Sequence, residues 1–253
     1  MPAQVVEAII LQEEPYGESD LLVEFFSRFQ GRLKGMAKGA KKSKKRFVHC
    51  FEPLNRVRLW LFEKPNYSLV RIDQGEVIES FSEIRRHLRK WGLALYCVEM
   101  IPSLFAVADP HPEVFELLKQ ALGRLAEKKP EQEIFEILRL RLLRAAGYGL
   151  HLDGCTGCGK KVEELREPVF SFTGGGLYCP ACLQGESGQC LSRGTVETLR
   201  RMMTMAVPQV FRIRFTREVA EEIEPLMHTF TEQMLGKTLK AARYLKQMQE
   251  PYG

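Results

Sequence analysis

Cys155, Cys158, Cys179 and Cys182 form two Cys-x2-Cys pairs with twenty residues between them, the spacing of four-thiolate zinc ribbons. Each pair fits a tight turn that aims both sulfurs at one point, and two such turns face to face complete a tetrahedron. Four thiolates leave no coordination position open for water or substrate. The expected cofactor is therefore one structural zinc ion, which staples a fold and activates no nucleophile. Gly154, Gly157 and Gly159 around the first pair, and Gly174, Gly175 and Gly176 before the second, are expected to supply the positive φ of these turns. Two other pairings compete. A disulfide needs an oxidising compartment, whereas Met1-Pro2-Ala3-Gln4 opens no charged and then apolar leader. A redox Cys-x2-Cys needs only one pair, in a βαβ context. Cys97 reads as a core residue, and Cys50 and Cys190 as free thiols without a role.

The second chemistry in the chain is electrostatic. The formal net charge of the 253 residues is only +5, but between Arg28 and Arg58 eleven Lys or Arg face a single acid, Glu52. That window carries a net +10 and the rest of the chain a net −5. Its members include Arg32, Lys34, Lys38, Lys41, Lys42, Lys44, Lys45, Arg46, Arg56 and Arg58. A lysine run alone is as readily a solvated surface as a binding site. This one is continuous with basic strands on either side, and Phe25, Phe26, Phe29, Phe47, Phe51, Trp60 and Phe62 place rings nearby. Cations along a groove with rings between them suit a single nucleic acid strand, through phosphate neutralisation and base stacking. Neutralising about six phosphates would give a salt slope near −4 on single strands.

The elements that must position these residues divide by periodicity. Val5–Leu11 and Leu21–Phe26 are apolar, β-branched or aromatic runs, with turn chemistry at Ser19-Asp20. Gly31–Gly39 alternates Leu33, Gly35 and Ala37 against Arg32, Lys34, Met36 and Lys38, a half-exposed strand presenting cations. A flexible cationic loop, residues 39–46, is expected next. Asn55–Phe62 alternates again, and Tyr67–Asp73 follows a Lys64-Pro65-Asn66 turn. Five short strands without room for crossover helices imply a small five-stranded antiparallel barrel, with the OB fold favoured over an SH3-like barrel.

After Glu79 the period becomes helical: Ile84–Leu104, then a helix opened by His111-Pro112-Glu113 and stopped by Lys128-Lys129-Pro130, then one from Glu131 to Gly147. Gly194–Met205 and Glu218–Gln249 are amphipathic too, the latter expected to break at Pro225 and Gly236. The reading is an α+β multidomain protein. Residues 1–80 form the nucleic-acid-binding barrel, and 81–253 an α-helical domain with the zinc segment inserted at about 152–186. No apolar stretch is long enough to span a bilayer, so no membrane is an expected partner and the cytoplasm is the expected address. An enzyme would need an open metal position, a carboxylate cluster or a phosphate-cradling loop. The sequence offers no His-Glu-x2-His, no Asp-x-Asp and no Gly-x4-Gly-Lys-Ser/Thr. The remaining alternative to a DNA-binding repair factor is a zinc-ribbon RNA-binding or transcription factor, which shares both barrel and ribbon.

Glu7–Leu11, Pro15-Tyr16-Gly17-Glu18-Ser19-Asp20-Leu21-Leu22, Gly31-Arg32-Leu33 and Ala37-Lys38-Gly39-Ala40-Lys41 together resemble the opening of the RecO family of bacterial recombination mediators. The two Cys-x2-Cys pairs, with Phe170-Ser171-Phe172 and Gly174–Gly176 before the second, and Leu235-Gly236-Lys237 with Leu239-Lys240 and Tyr244-Leu245, extend the resemblance over nearly the whole chain. It implies an OB domain, a helical domain, zinc, and a non-catalytic role in recombinational repair in the bacterial cytoplasm, at the nucleoid. Implied partners are single- and double-stranded DNA, RecR, the C-terminal tail of single-strand-binding protein and, indirectly, RecA. Implied activities are strand annealing and, with RecR, RecA loading onto protein-coated single strands. The cations from Arg32 to Arg46 become DNA-contact candidates. The acidic tail would seat in a hydrophobic pocket rimmed by cations on the helical body, where Arg139, Arg141 and Arg144 are the nearest basic cluster.

Overall fold

The structure is a computed structural model and describes residues 4–62, 69–127, 131–183, 185 and 187–249. The Lys64-Pro65-Asn66 turn, Tyr67, Ser68, the Lys128-Lys129-Pro130 stop and the last residue of the expected zinc segment, Glu186, lie outside the described residues.

Strands β1 (Gln4–Tyr16), β2 (Asp20–Ser27), β3 (Gly31–Ala37), β4 (Arg56–Phe62) and β5 (Val70–Glu79) close into a barrel in the order β1-β2-β3-β5-β4. Four pairings are antiparallel as expected. The fifth, β3 with β5, is parallel, a closure between non-consecutive strands that period-two alternation does not reveal. β1 reaches thirteen residues and pairs with both β2 and β4, and a register shift between Ile10 and Gln12 bends it round the barrel. Alternation places Val57, Leu59 and Leu61 of β4 inside and Arg56, Arg58, Trp60 and Phe62 outside. Inside, Val6, Ala8, Ile10, Val23, Phe25, Val57, Leu59, Leu61 and Ile72 form one apolar core, which Phe47, Cys50 and Phe51 join from the connection after β3. Burial pushes the Cys50 thiol up to about 12, as suits a core residue rather than a nucleophile.

The next helices are α1 (Ser82–Arg85), α2 (Leu88–Leu104) and α3 (Pro112–Ala126). The expected single helix from Ile84 is broken at Arg86-His87, where His87 has extended backbone. Pro102 is tolerated within the last turn of α2, and Pro112 starts α3 where its missing N–H is no loss. Phe26, which points away from the barrel core, packs on Phe105 at the end of α2, with ring centroids 6.1 Å apart.

Helix α4 (Glu131–Ala145) opens a second body. It continues through a three-stranded sheet of β6 (Val169–Ser171), β7 (Gly176–Tyr178) and β8 (Gly188–Cys190), with a short α5 (Pro180–Leu183) after β7. Helices α6 (Arg193–Thr204) and α7 (Arg217–Leu235) complete it, capped by the side chains of Ser192 and Thr216. The cysteine-bearing segment thus lies between helices, as expected. Pro225 does not break α7; Gly236, at φ 64, ends it.

The last helix, α8 (Lys240–Gln249), belongs with the first body. Glu99 of α2 accepts the backbone N–H groups of Lys240 and Ala241, both at 2.9 Å, which caps α8 and docks it on α2. The compact units are therefore residues 1–129 with 240–253, and residues 130–239.

Candidate metal centre and nucleic-acid interface

The four cysteines converge: their sulfurs all lie within 4.8 Å of one another. Cys158 and Cys179 Sγ are 3.9 Å apart, close to the ~3.8 Å edge of a tetrahedron with metal–sulfur bonds of about 2.3 Å. The first turn is closed by Cys155 N donating to Lys160 O (2.8 Å) and Gly159 N donating to Cys155 O (2.8 Å). The second is closed by Cys182 N donating to Cys179 O (3.0 Å), at the start of α5. Thr156 N donates to Leu177 O (2.8 Å) and ties the first turn to β7. Only part of the glycine expectation holds. Gly159 takes positive φ (74°), but Gly157 is needed for space, since a Cβ there would lie 2.8 Å from the Cβ of Cys182.

The donor set is all sulfur, and the local hydrogen bonds favour thiolate at Cys155. Burial works against ionising Cys155, but the backbone N–H groups of Cys179, Cys158 and Gly157 donate to it and bring it down to about 6. Cys182 is pushed up to about 12 by hydrogen bonds with the Cys179 and Cys158 sulfurs, then by burial and by Cys155. A metal ion bound here would displace the thiol protons. The residues fit a closed, four-coordinate ion with no position left for a reacting ligand.

The cationic candidates separate into two groups. Arg32 is half-buried, with Nη1 on Glu24 (2.6 Å) and Nε on the Phe105 carbonyl (3.1 Å). Arg56 is held between Glu7 (2.6 Å) and Glu79 (3.3 Å), and Arg58 pairs with Glu76 (2.9 Å). Lys34 lies 3.6 Å from Glu24. Arg46 donates to the carbonyls of Lys38 (2.8 Å) and Asp73 (3.3 Å) and stacks on Phe47. These are cross-strand and loop-fixing partners, invisible to a charge count along the sequence.

Lys38, Lys41, Lys42, Lys44 and Lys45 are brought together at one end of the barrel and exposed there. Among the described residues none of them has a carboxylate within ion-pair distance. The expected flexible loop is instead a pinned turn. A 3-10 turn over Ala40–Lys42 is anchored by buried Ala40 and Phe47. Gly75 N donates to Arg46 O (2.9 Å), and Lys41 N to Ser19 O (3.0 Å). The residue that sequence reasoning missed is Asp20. Its carboxylate accepts from Gly39 N (2.8 Å) and the Ser19 hydroxyl (2.9 Å) and so welds the β1–β2 hairpin to the turn. The Gly39 N–H first, then the Ser19 hydroxyl, with Lys38 and Lys41 near, hold it below the usual carboxylate range. The Ser19-Asp20 pair was visible as turn chemistry, but its partner lies nineteen residues downstream.

Of the seven rings near the basic window, Phe25, Phe26, Phe47 and Phe51 are buried. Trp60 and Phe62 are half-buried on the outer face of β4, and Phe29 is exposed. In the helical body, Arg139 is buried against Glu136 (2.5 Å), Arg141 Nε donates to Met202 O (2.5 Å), and Arg144 donates to Met203 O. That basic cluster neutralises a buried acid and the C-terminal carbonyls of α6. No helix among the described residues is long and apolar enough to cross a membrane.

Comparison with known proteins agrees with this arrangement. A family model described as Recombination protein O N terminal matches residues 1–81, which hold the barrel, and one described as Recombination protein O C terminal matches residues 85–243. The chain is 31% identical over 246 residues to the DNA repair protein RecO of Syntrophus aciditrophicus, covering 96% of this chain and 95% of that one. It is 31% identical to those of Syntrophobacter fumaroxidans (95% and 96% covered) and Myxococcus xanthus (96% and 96%). With both halves matched and the similarity running end to end, the chain belongs to the RecO family.

Proposed function

We propose that this protein is a DNA-binding mediator of recombinational repair that works without catalysing a covalent step. One observation carries the reading: five exposed lysines, Lys38, Lys41, Lys42, Lys44 and Lys45, sit without carboxylate partners on a pinned turn of an OB-type barrel in a RecO-family chain. Ammonium groups free of carboxylates on a fixed backbone match phosphates spaced along a strand, and each contact releases counterions. The barrel binds single- and double-stranded DNA, promotes annealing and, with RecR, assists RecA loading on strands coated by single-strand-binding protein. The acidic tail of that protein seats in the helical body, where a cavity of about 560 Å³ is lined by Leu150, Met203, Arg144, His151, Arg200 and Arg201, with Asp153 and Glu197 on the same wall paired to Arg200. The ion held by the four cysteines is zinc, and its role is structural. The protein works in the cytoplasm, at the nucleoid during repair.

The test is annealing of complementary strands coated with single-strand-binding protein, with and without RecR. Acceleration without nucleotide supports the reading. No acceleration, or a requirement for ATP hydrolysis by the pure protein, contradicts it, and a clear preference for RNA over matched single-stranded DNA favours the RNA-binding alternative instead.

A further inference from the structure

Tyr16 closes β1 at the tip of the first hairpin, and 55% of its surface is exposed. It has no place in the barrel core. Two independent features fix where it sits. Tyr16 is the register partner of Asp20, and directly paired residues of an antiparallel ladder project to the same face with Cβ atoms about 5 Å apart. The Asp20 carboxylate on that face is bonded to Gly39 N at the root of the lysine turn. Next in sequence, Gly17 offers its carbonyl to Lys41 Nζ (2.8 Å). An exposed aromatic ring therefore stands beside the lysine turn, on a hairpin that three hydrogen bonds fasten to it.

We propose that Tyr16 is a stacking platform for a base of single-stranded nucleic acid whose phosphates contact the lysine turn. The proposal rests on the DNA-binding reading above and adds a residue and a substrate preference to it. A base has an apolar face that a phenol ring covers whatever its sequence, and the neighbouring lysines hold the strand that carries it. Bases of a duplex are already stacked on one another, so the ring discriminates in favour of single strands. Phe29 makes the contrast. It is more exposed, at 70%, but it lies at the opposite end of β2, roughly 23 Å away along the strand. The arginines near it face acids: Arg28, whose guanidinium lies over the Phe29 ring, is 4.0 Å from Glu116, and Arg58 pairs with Glu76.

The experiment measures affinity for oligo(dT) and for a duplex of equal length across a salt series, using the full chain and the variants Tyr16→Ala, Tyr16→Phe and Phe29→Ala. Tyr16→Ala is expected to weaken oligo(dT) binding by about fivefold or more. Its salt slope should be that of the wild type, because every phosphate-binding lysine is kept, and its duplex affinity should not change. Tyr16→Phe should retain the single-strand affinity within about twofold, since the ring face is kept, and Phe29→Ala should behave as wild type. Unchanged oligo(dT) affinity in Tyr16→Ala, an equal loss on duplex, or an equal loss in Phe29→Ala would overturn the assignment. Failure of the underlying reading has a different signature: a variant with Lys38, Lys41, Lys42, Lys44 and Lys45 replaced by alanine would then bind DNA as the wild type does.

Discussion

Helix α4 and the turn after β3 both carry dense positive charge, Arg139-Leu140-Arg141-Leu142-Leu143-Arg144 in one and Lys41-Lys42-Ser43-Lys44-Lys45-Arg46 in the other. The fold treats them oppositely. In α4 the guanidinium groups are engaged within the protein: Arg139 is buried on Glu136, half-buried Arg141 holds the carbonyls of Met202 and Met205, and exposed Arg144 holds that of Met203. At the turn the ammonium groups are exposed and free of carboxylates; Lys41 Nζ reaches the Gly17 carbonyl, and Arg46 is drawn onto the carbonyls of Lys38 and Asp73. A planar fork with fixed donors suits the first task, and a compact mobile charge suits the second. Positive charge thus holds one region together and leaves the other available to an anionic partner.

The largest expected effect is that of denying the cysteine quartet a metal ion. Structural zinc contributes on the order of 10 kcal/mol to the folding of small ribbons. Chelation, or Cys155→Ser, should abolish hydrogen-exchange protection across residues 150–183 while protection of the barrel strands and DNA affinity persist. Equal loss of protection in both bodies would mean that the ribbon is not a local clamp. Next in size is Arg139→Leu, which strands the Glu136 carboxylate in the core and should destabilise residues 130–239 by about 3–5 kcal/mol, read by denaturant unfolding, with DNA affinity untouched.

A smaller effect concerns pH. Burial, against the pull of Arg139, pushes Glu136 up to about 7 from 4.5. Between those values the folded state holds a proton that the unfolded state does not. Stability of the helical body should therefore be greatest below about pH 4.5 as far as this group is concerned, fall as pH rises to about 7, and level off above. Glu136→Gln should remove that slope from the thermal midpoint. Smallest is Arg58→Ala. An exposed ion pair contributes about 0–1 kcal/mol, and with Glu76 already on the guanidinium its loss should change single-strand affinity by less than about twofold.

The same contrast explains what the sequence made legible. The cysteine quartet was readable in full because two residues between thiols already fix the local turn, and the second turn repeats it. Strand alternation in Leu33, Gly35 and Ala37 and in Val57, Leu59 and Leu61 was readable because period two is local as well. Charge was not local. The +10 of the basic window shrank once Glu7, Glu24, Glu76, Glu79 and Glu116 arrived from other elements, and no count along the chain could separate Arg56 from Lys44. The return of α8 to α2 escaped for the same reason, since its cap, Glu99, lies 141 residues before Lys240. The parallel β3–β5 closure likewise joins strands far apart in sequence.

The central claim is that the unpaired lysines, not the paired arginines, carry the contact with nucleic acid. Its most direct test is the slope of log affinity against log salt for single-stranded DNA, measured on the wild type, on a variant with Lys38, Lys41, Lys42, Lys44 and Lys45 replaced by alanine, and on Arg56→Ala with Arg58→Ala. Each phosphate that is no longer neutralised flattens the slope by about 0.7. The lysine variant should flatten it by up to about 3.5 and the arginine variant hardly at all, whereas a wild-type slope in the lysine variant, or flattening confined to the arginine variant, would contradict the account.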